Sequence, residues 1–151
     1  MSVRVQREDF DAGHEIKALT LGKTNIGAVV TFTGTVRGRS GDRRISSMTL
    51  EHYPGMTEAE LERVECAALD RWPLDASLII HRIGELAPGD NIVLVITASA
   101  HRAAAFEAAE FLMDYLKSNA PFWKRETFQD GHSAWVDARE TDAGALDRWQ
   151  K

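Results

Sequence analysis

The chain has 151 residues, enough for one domain that buries about 70% of the surface its unfolded form exposes, so its core needs neither metal nor disulfide. Its 18 Lys and Arg against 23 Asp and Glu give a net charge of −5, which argues against a general nucleic-acid or membrane-surface binder and makes local basic clusters conspicuous. A single cysteine, Cys66, excludes an internal disulfide and a Cys-rich zinc site.

In chain order, Val3 and Val5 alternate with polar residues and predict a short first strand. Asp11 to Leu21 reads as a helix with Ile16 and Leu19 on its apolar side. Gly27 to Val36 is β-branched and strand-like, with Gly34 marking a bulge. Arg37 to Ile45 is basic and punctuated by glycine, which predicts a loop. Ser46 to Tyr53 is a strand with Met48, Leu50 and His52 on one face, and Pro54-Gly55 is a turn. Thr57, with Glu60 three residues on, predicts a capping box for a helix that buries Leu61, Val64, Ala68 and Trp72 and stops at Pro73.

Ser77 to Ile83 predicts a strand, Gly84 to Asp90 a loop, and Asn91 to Ala98 an apolar, central strand. Ser99 is the expected N-cap of a helix from about His101 to Lys117, with Phe106, Ala109, Met113 and Leu116 as its apolar stripe. Phe122 to Phe128 and Ala134 to Ala138 pair as a hairpin around Asp130-Gly131. The tail from Arg139 onward is polar apart from Leu146 and Trp149. The mixture predicts an α+β fold, a single domain over 1–151 with a mainly antiparallel sheet and helices packed against it.

The longest aliphatic run, Ile92 to Ile96, is far short of a membrane span, and the N-terminus lacks an apolar signal core. A cytoplasmic enzyme or binding protein is therefore expected. No metal and no cofactor is expected either. His14, His52, His81 and His132 show no ligand spacing, and there is no Gly-rich nucleotide loop.

Three clusters can carry chemistry. Lys117 closes the long helix and Lys124 begins the strand after Pro121, which forces a chain reversal between them. Two ammonium groups converging across that reversal would suit lysine chemistry at neutral pH. Spacing alone leaves open a helix-dipole role for Lys117, paired with Asp114, and a surface position for Lys124. His101 and Arg102 occupy a first helical turn, where acidic residues are normally preferred, so a bound anion would resolve the conflict. Arg37 stands at the end of a firm strand, where a side chain can be positioned. Cys66, mid-helix and without a close cation, reads as a packing thiol rather than a reactive one.

The blocks Phe32-Thr33-Gly34-Thr35-Val36-Arg37, Leu50-Glu51-His52-Tyr53-Pro54-Gly55-Met56, Ala100-His101-Arg102 and Leu116-Lys117 through Ala120-Pro121-Phe122-Trp123-Lys124-Arg125-Glu126 resemble, in order and spacing, the large catalytic subunit of molybdopterin synthase. The resemblance spans about Gly27 to Arg139. It implies a sulfurtransferase of molybdenum cofactor biosynthesis that converts cyclic pyranopterin monophosphate (precursor Z) to molybdopterin. The implied sulfur donor is the C-terminal Gly-Gly thiocarboxylate of a small ubiquitin-like subunit. The implied assembly is a homodimer of large subunits with a small subunit at each end, a heterotetramer. Carried over by motif, Lys117 and Lys124 are the catalytic lysines, and Arg37, His101, Arg102 and Arg139 bind the pterin phosphate. The loop from Gly38 to Ile45 departs from the family pattern, so no role passes to Arg39, Arg43 or Arg44. Two competing readings remain at this stage: a non-catalytic adaptor for a ubiquitin-like carrier, and a phosphoanion-binding regulator.

A helix continuous from His101 to Lys117 would be roughly 24 Å long at 1.5 Å per residue. A small pterin cannot touch both ends. If both ends serve one site, His101 and Arg102 must come from a second subunit, which predicts a homodimer with sites at or near its interface.

Overall fold

A computed structural model describes residues 2–136 and 144–150. Nine strands and three helices follow in the order β1 (Val3–Gln6), α1 (Ala12–Thr20), β2 (Ala28–Thr35), β3 (Arg39–Ser40), β4 (Arg43–His52), α2 (Met56–Arg71), β5 (Leu74–Arg82), β6 (Gly84–Leu86), β7 (Asn91–Ser99), α3 (Arg102–Ser118), β8 (Phe122–Phe128) and β9 (Ser133–Val136), with a 3-10 turn at Leu146–Trp149 among the described residues. The α+β expectation holds. Only β1 against β5 is parallel; every other described pairing is antiparallel.

The first sheet has the order β1-β5-β7-β2. Its central strand β7 is Ile-Val-Leu-Val-Ile, buried on both faces, as a near-continuous apolar run requires. The period of two divides its neighbours cleanly. Leu78, Ile80, Leu94 and Ile96 face α1, where Phe10, Ile16 and Leu19 cover them. Ile79, Val93 and Val95 face the opposite way into the main core, with Leu61 and Val64 of α2 and Phe111 and Leu112 of α3. The second sheet has the order β3-β4-β8-β9, with β6 also paired to β4. Its Leu50 and Leu86 join the same core.

Several local expectations are corrected. The basic segment after Arg37 is not a loop throughout, because Arg39–Ser40 pairs with Arg43–Arg44 in a tight hairpin turned at Gly41, whose φ is +62°. The segment before Asp90 contains β6, whose Gly84, Glu85 and Leu86 pair with Leu50, Thr49 and Met48. Gly55, not Thr57, caps α2, with Gly55 N–H donating to Glu58 at 3.3 Å. His101, not Ser99, is the N-cap residue of α3; the Ser99 hydroxyl donates to the Pro73 carbonyl at 2.8 Å instead. The buried face of α3 is Ala105, Ala108, Ala109, Phe111 and Leu112, while Phe106 is 60% exposed. Small residues there allow close approach to the sheet, and Thr97 donates to the Ala105 carbonyl at 2.6 Å. Cys66 is exposed rather than packed. Asp114 accepts from Arg148 and Trp149 at 3.0 and 2.6 Å, not from Lys117. The bulge predicted at Gly34 is present, as a register shift between Gly34 and Thr35. None of the described helices is long and apolar enough to cross a membrane.

Candidate active site

The helix α3 runs back along the first sheet from the Ser99 end of β7 toward its Asn91 end. Its last turn carries Lys117. Asn119 N–H closes that turn on the Tyr115 carbonyl at 2.8 Å, and the Ala120-Pro121 step reverses the chain. Strand β8 then begins at Phe122. Along it the burial alternates: Phe122, Lys124 and Glu126 turn inward, whereas Trp123 and Arg125 are exposed. Lys124 lies opposite Leu50 of β4, a residue 1% exposed. The half-buried side of β8 therefore holds Lys124, which is not a plain surface residue. Lys117 itself is exposed.

The two lysines share a neighbour that sequence reasoning passed over. His81, on the main-core face of β5, is 5% exposed and stacks on Phe122 with ring centroids 3.7 Å apart and planes 17° from parallel. The imidazole is pushed down from 6.5 to about 3: burial is the largest cause, the hydrogen bond to the Arg82 carbonyl opposes it, and the positive fields of Lys124, Lys117 and His52 add to the lowering. Both lysines are near enough to act electrostatically on this one buried histidine. No spacing rule marks it, because its partners lie on three other elements.

The reversal is also held by Thr57, which is fully buried. The Thr57 hydroxyl donates to the Pro121 carbonyl at 3.1 Å and accepts from the Tyr53 N–H at 3.0 Å. The hydroxyl that the sequence offers as a helix cap is instead a bridge between the end of β4 and the link joining the lysines.

Arg37 is exposed, just beyond β2. It is anchored through Val36, whose N–H donates to the Asp90 carbonyl at 2.9 Å and whose carbonyl accepts from Gly89 at 2.8 Å. The turn it joins leads into Asn91, so Arg37 lies at the end of the first sheet toward which α3 and Lys117 run. His101 and Arg102 lie at the opposite end. There Gly27, Ala28, His101, Arg102 and Phe106 line an open cleft of about 610 Å³. No side chain caps the α3 N-terminus and no acidic residue stands in its first turn, so backbone N–H groups and two basic side chains face one opening. Gly27 is required here: a Cβ at that position would lie 2.3 Å from the Ala100 carbonyl oxygen. Arg139 lies outside the described residues. Among the described residues no group of three His, Cys, Asp or Glu is placed to hold a metal.

The geometry defines an α+β protein with two basic clusters toward opposite ends of a single helix, Lys117 with Lys124 and His101 with Arg102. Comparison with known proteins gives the class a family. The family described as MoaE protein matches residues 5–119. The molybdopterin synthase catalytic subunit of Mesorhizobium japonicum is 57% identical over 150 residues, covering 99% of this chain and 93% of that protein. Among solved structures, molybdopterin cofactor biosynthesis protein E from Burkholderia multivorans superposes with a TM-score of 0.83 at 50% identity, covering 99% of this chain and 97% of that one. Molybdopterin synthase from Staphylococcus aureus gives the same TM-score at 29% identity, covering 91% and 98%. The chain belongs to the MoaE family.

Proposed function

We propose that the chain is the sulfur-inserting, catalytic subunit of a molybdopterin synthase, converting cyclic pyranopterin monophosphate to molybdopterin. The observation that carries the reading is one buried, uncharged imidazole, stacked on Phe122 just after the reversal at Pro121, on which the charges of both lysines act. Family membership and the relatives' name as catalytic subunits support the reaction class. That name also supports a second, small subunit. Its thiocarboxylate terminus is the proposed sulfur donor, entering toward Lys117 and Lys124.

In this reading Lys117, exposed in the last turn of α3, acts as acid/base or transient nucleophile at the thiocarboxylate carbonyl. Lys124, set deeper, and Arg37 stabilise the negative charge that develops there. His101 and Arg102 hold the substrate phosphate at the α3 N-terminus. Arg139 is assigned to the same pocket by its motif alone.

The two half-sites are united by a homodimer, in which the phosphate-binding half comes from the second chain. Strand β2 supports this arrangement. It is an edge of the first sheet, with Val29 and Phe32 each 38% exposed, and Phe106 stands exposed beside the phosphate cleft. An apolar edge of this kind invites pairing with another chain. A cytoplasmic setting completes the proposal.

The test is incubation with the cyclic pyranopterin monophosphate and a thiocarboxylated small subunit, with assay of the dithiolene product. Product formation is expected. Partner binding without product would favour an adaptor, and phosphate-ligand binding without any carrier would favour a regulator.

A further inference from the structure

We infer that Thr57 and His81 are positioning residues for the lysine pair, clamping the reversal between Lys117 and Lys124 from two sides. The inference rests on the proposed function for its kinetic consequences. Its geometric content stands apart from it.

A six-residue link between two long, flexible side chains does not hold two ammonium groups at a fixed separation. Something must fix the link itself. On one side is the Thr57 bridge: a single buried hydroxyl ties the Pro121 carbonyl to the Tyr53 N–H. Proline donates no backbone hydrogen bond, so the carbonyl is the one polar backbone handle Pro121 offers. Helix α2 starts without this hydroxyl as its cap, a local rule left unmet in favour of a contact 64 residues away in sequence. Such departures concentrate at functional sites.

On the other side is the His81 plate. Its Nδ1 lies 2.9 Å from the Arg82 carbonyl oxygen. A carbonyl only accepts, so Nδ1 carries the proton and Nε2 the lone pair. The bond also fixes the ring's rotation, which stacking alone would not. Phe122, pressed on that plate, shares its face of β8 with Lys124 two residues on. The charged or titratable groups that act on the ring are Lys124 from β8, Lys117 from α3 and His52 from β4. An uncharged, rotationally locked ring among cations sets a distance without adding a third charge. A phenyl ring would stack without the lock, and a protonated ring would repel the lysines.

The experiment uses the full-length protein. Thr57→Val removes the hydroxyl at nearly constant shape, and Thr57→Ser restores it. His81→Phe keeps the stack and loses the lock. Two readouts are taken: steady-state kinetics with pterin and thiocarboxylated small subunit, and NMR titration of ¹³C-dimethylated lysines, with Lys17 as internal reference. Thr57→Val and His81→Phe should each lower kcat about 10-fold or more, since misplacement by about 1 Å can cost a hundredfold. KM and small-subunit affinity should change less than about 2-fold, which separates orientation from binding. The Lys117 and Lys124 titrations should move while that of Lys17 stays, and Thr57→Ser should recover both. Unchanged lysine titrations in folded His81→Phe and Thr57→Val protein would overturn the inference, as would a kcat loss matching only the unfolded fraction. Should the wild-type protein form no dithiolene, the proposed function fails, while the titrations still decide the clamp. Should Thr57→Val not fold, His81→Phe decides it by the same titrations.

Discussion

Arg102 opens α3 and Lys117 lies in its last turn, so the two stand about 23 Å apart on one unbroken helix. Neither a pterin nor its phosphate bridges that span within one chain. In the proposed composite site each chain would lend the His101-Arg102 end of α3 to the lysine end of another. Mixed dimers of Lys117→Ala and Arg102→Ala chains should therefore regain activity in one of their two sites, up to about half that of the wild type. Activity no higher than that of either parent variant would remove the composite site.

The lysines themselves carry a sharper expectation. Lys117→Ala and Lys124→Ala should each lower kcat by about 10²–10⁴, the range over which a positioned acid or base acts. Small-subunit affinity, measured by calorimetry, should be retained, because Lys117 is exposed, Lys124 is half-buried, and neither substitution removes an apolar side chain from the core. Full activity in Lys117→Ala would sink its assignment.

Gly27 tests the other half-site. A Cβ there meets the Ala100 carbonyl at 2.3 Å, and a backbone atom cannot swing aside as a side-chain tip can. Gly27→Ala should push the Ala100-His101 segment away from β2. The expected destabilisation is about 1–3 kcal/mol by chemical denaturation, the ordinary cost of overpacking. KM for the phosphorylated pterin should rise more than kcat falls, since the segment that moves is the one proposed to hold the phosphate.

Much of this was legible in the chain. The run at Asn91 to Ala98 announces a buried central strand because Ile92 to Ile96 within it is unbroken by any polar residue, and β7 is that strand. The reversal between the lysines follows from Pro121 alone. Three features were not legible, each for a physical reason. Thr57 reads as a cap because Glu60 follows it, but its hydroxyl is claimed by Pro121, a contact no local pattern encodes. Phe106 completes a helical stripe, yet α3 is rotated so that alanines meet the sheet and Phe106 is left for the cleft. His81 follows Leu78-Ile79-Ile80, an apolar run buried on both faces, so its proposed role rests wholly on what tertiary structure brings to it.

His81 also gives the protein a pH signature. Its folded pKa of about 3 lies below the ordinary 6.5, burial being the main cause. Below pH 6.5 the unfolded chain binds a proton that the folded chain refuses, so stability falls as pH drops from about 6.5 toward 3 and is fully present above that window. The slope from this one group approaches about 1.4 kcal/mol per pH unit. Glu65, also buried, has its carboxyl raised by burial and acts with the opposite sign, but from the ordinary 4.5 upward only over the interval of its own shift. Urea denaturation at pH 7 and pH 5 should show a loss of stability in the wild-type protein that is clearly smaller in His81→Phe, which has no proton to gain. Equal losses in the two proteins would mean that the imidazole is protonated in the folded state, and the uncharged plate between the lysines would have to be abandoned.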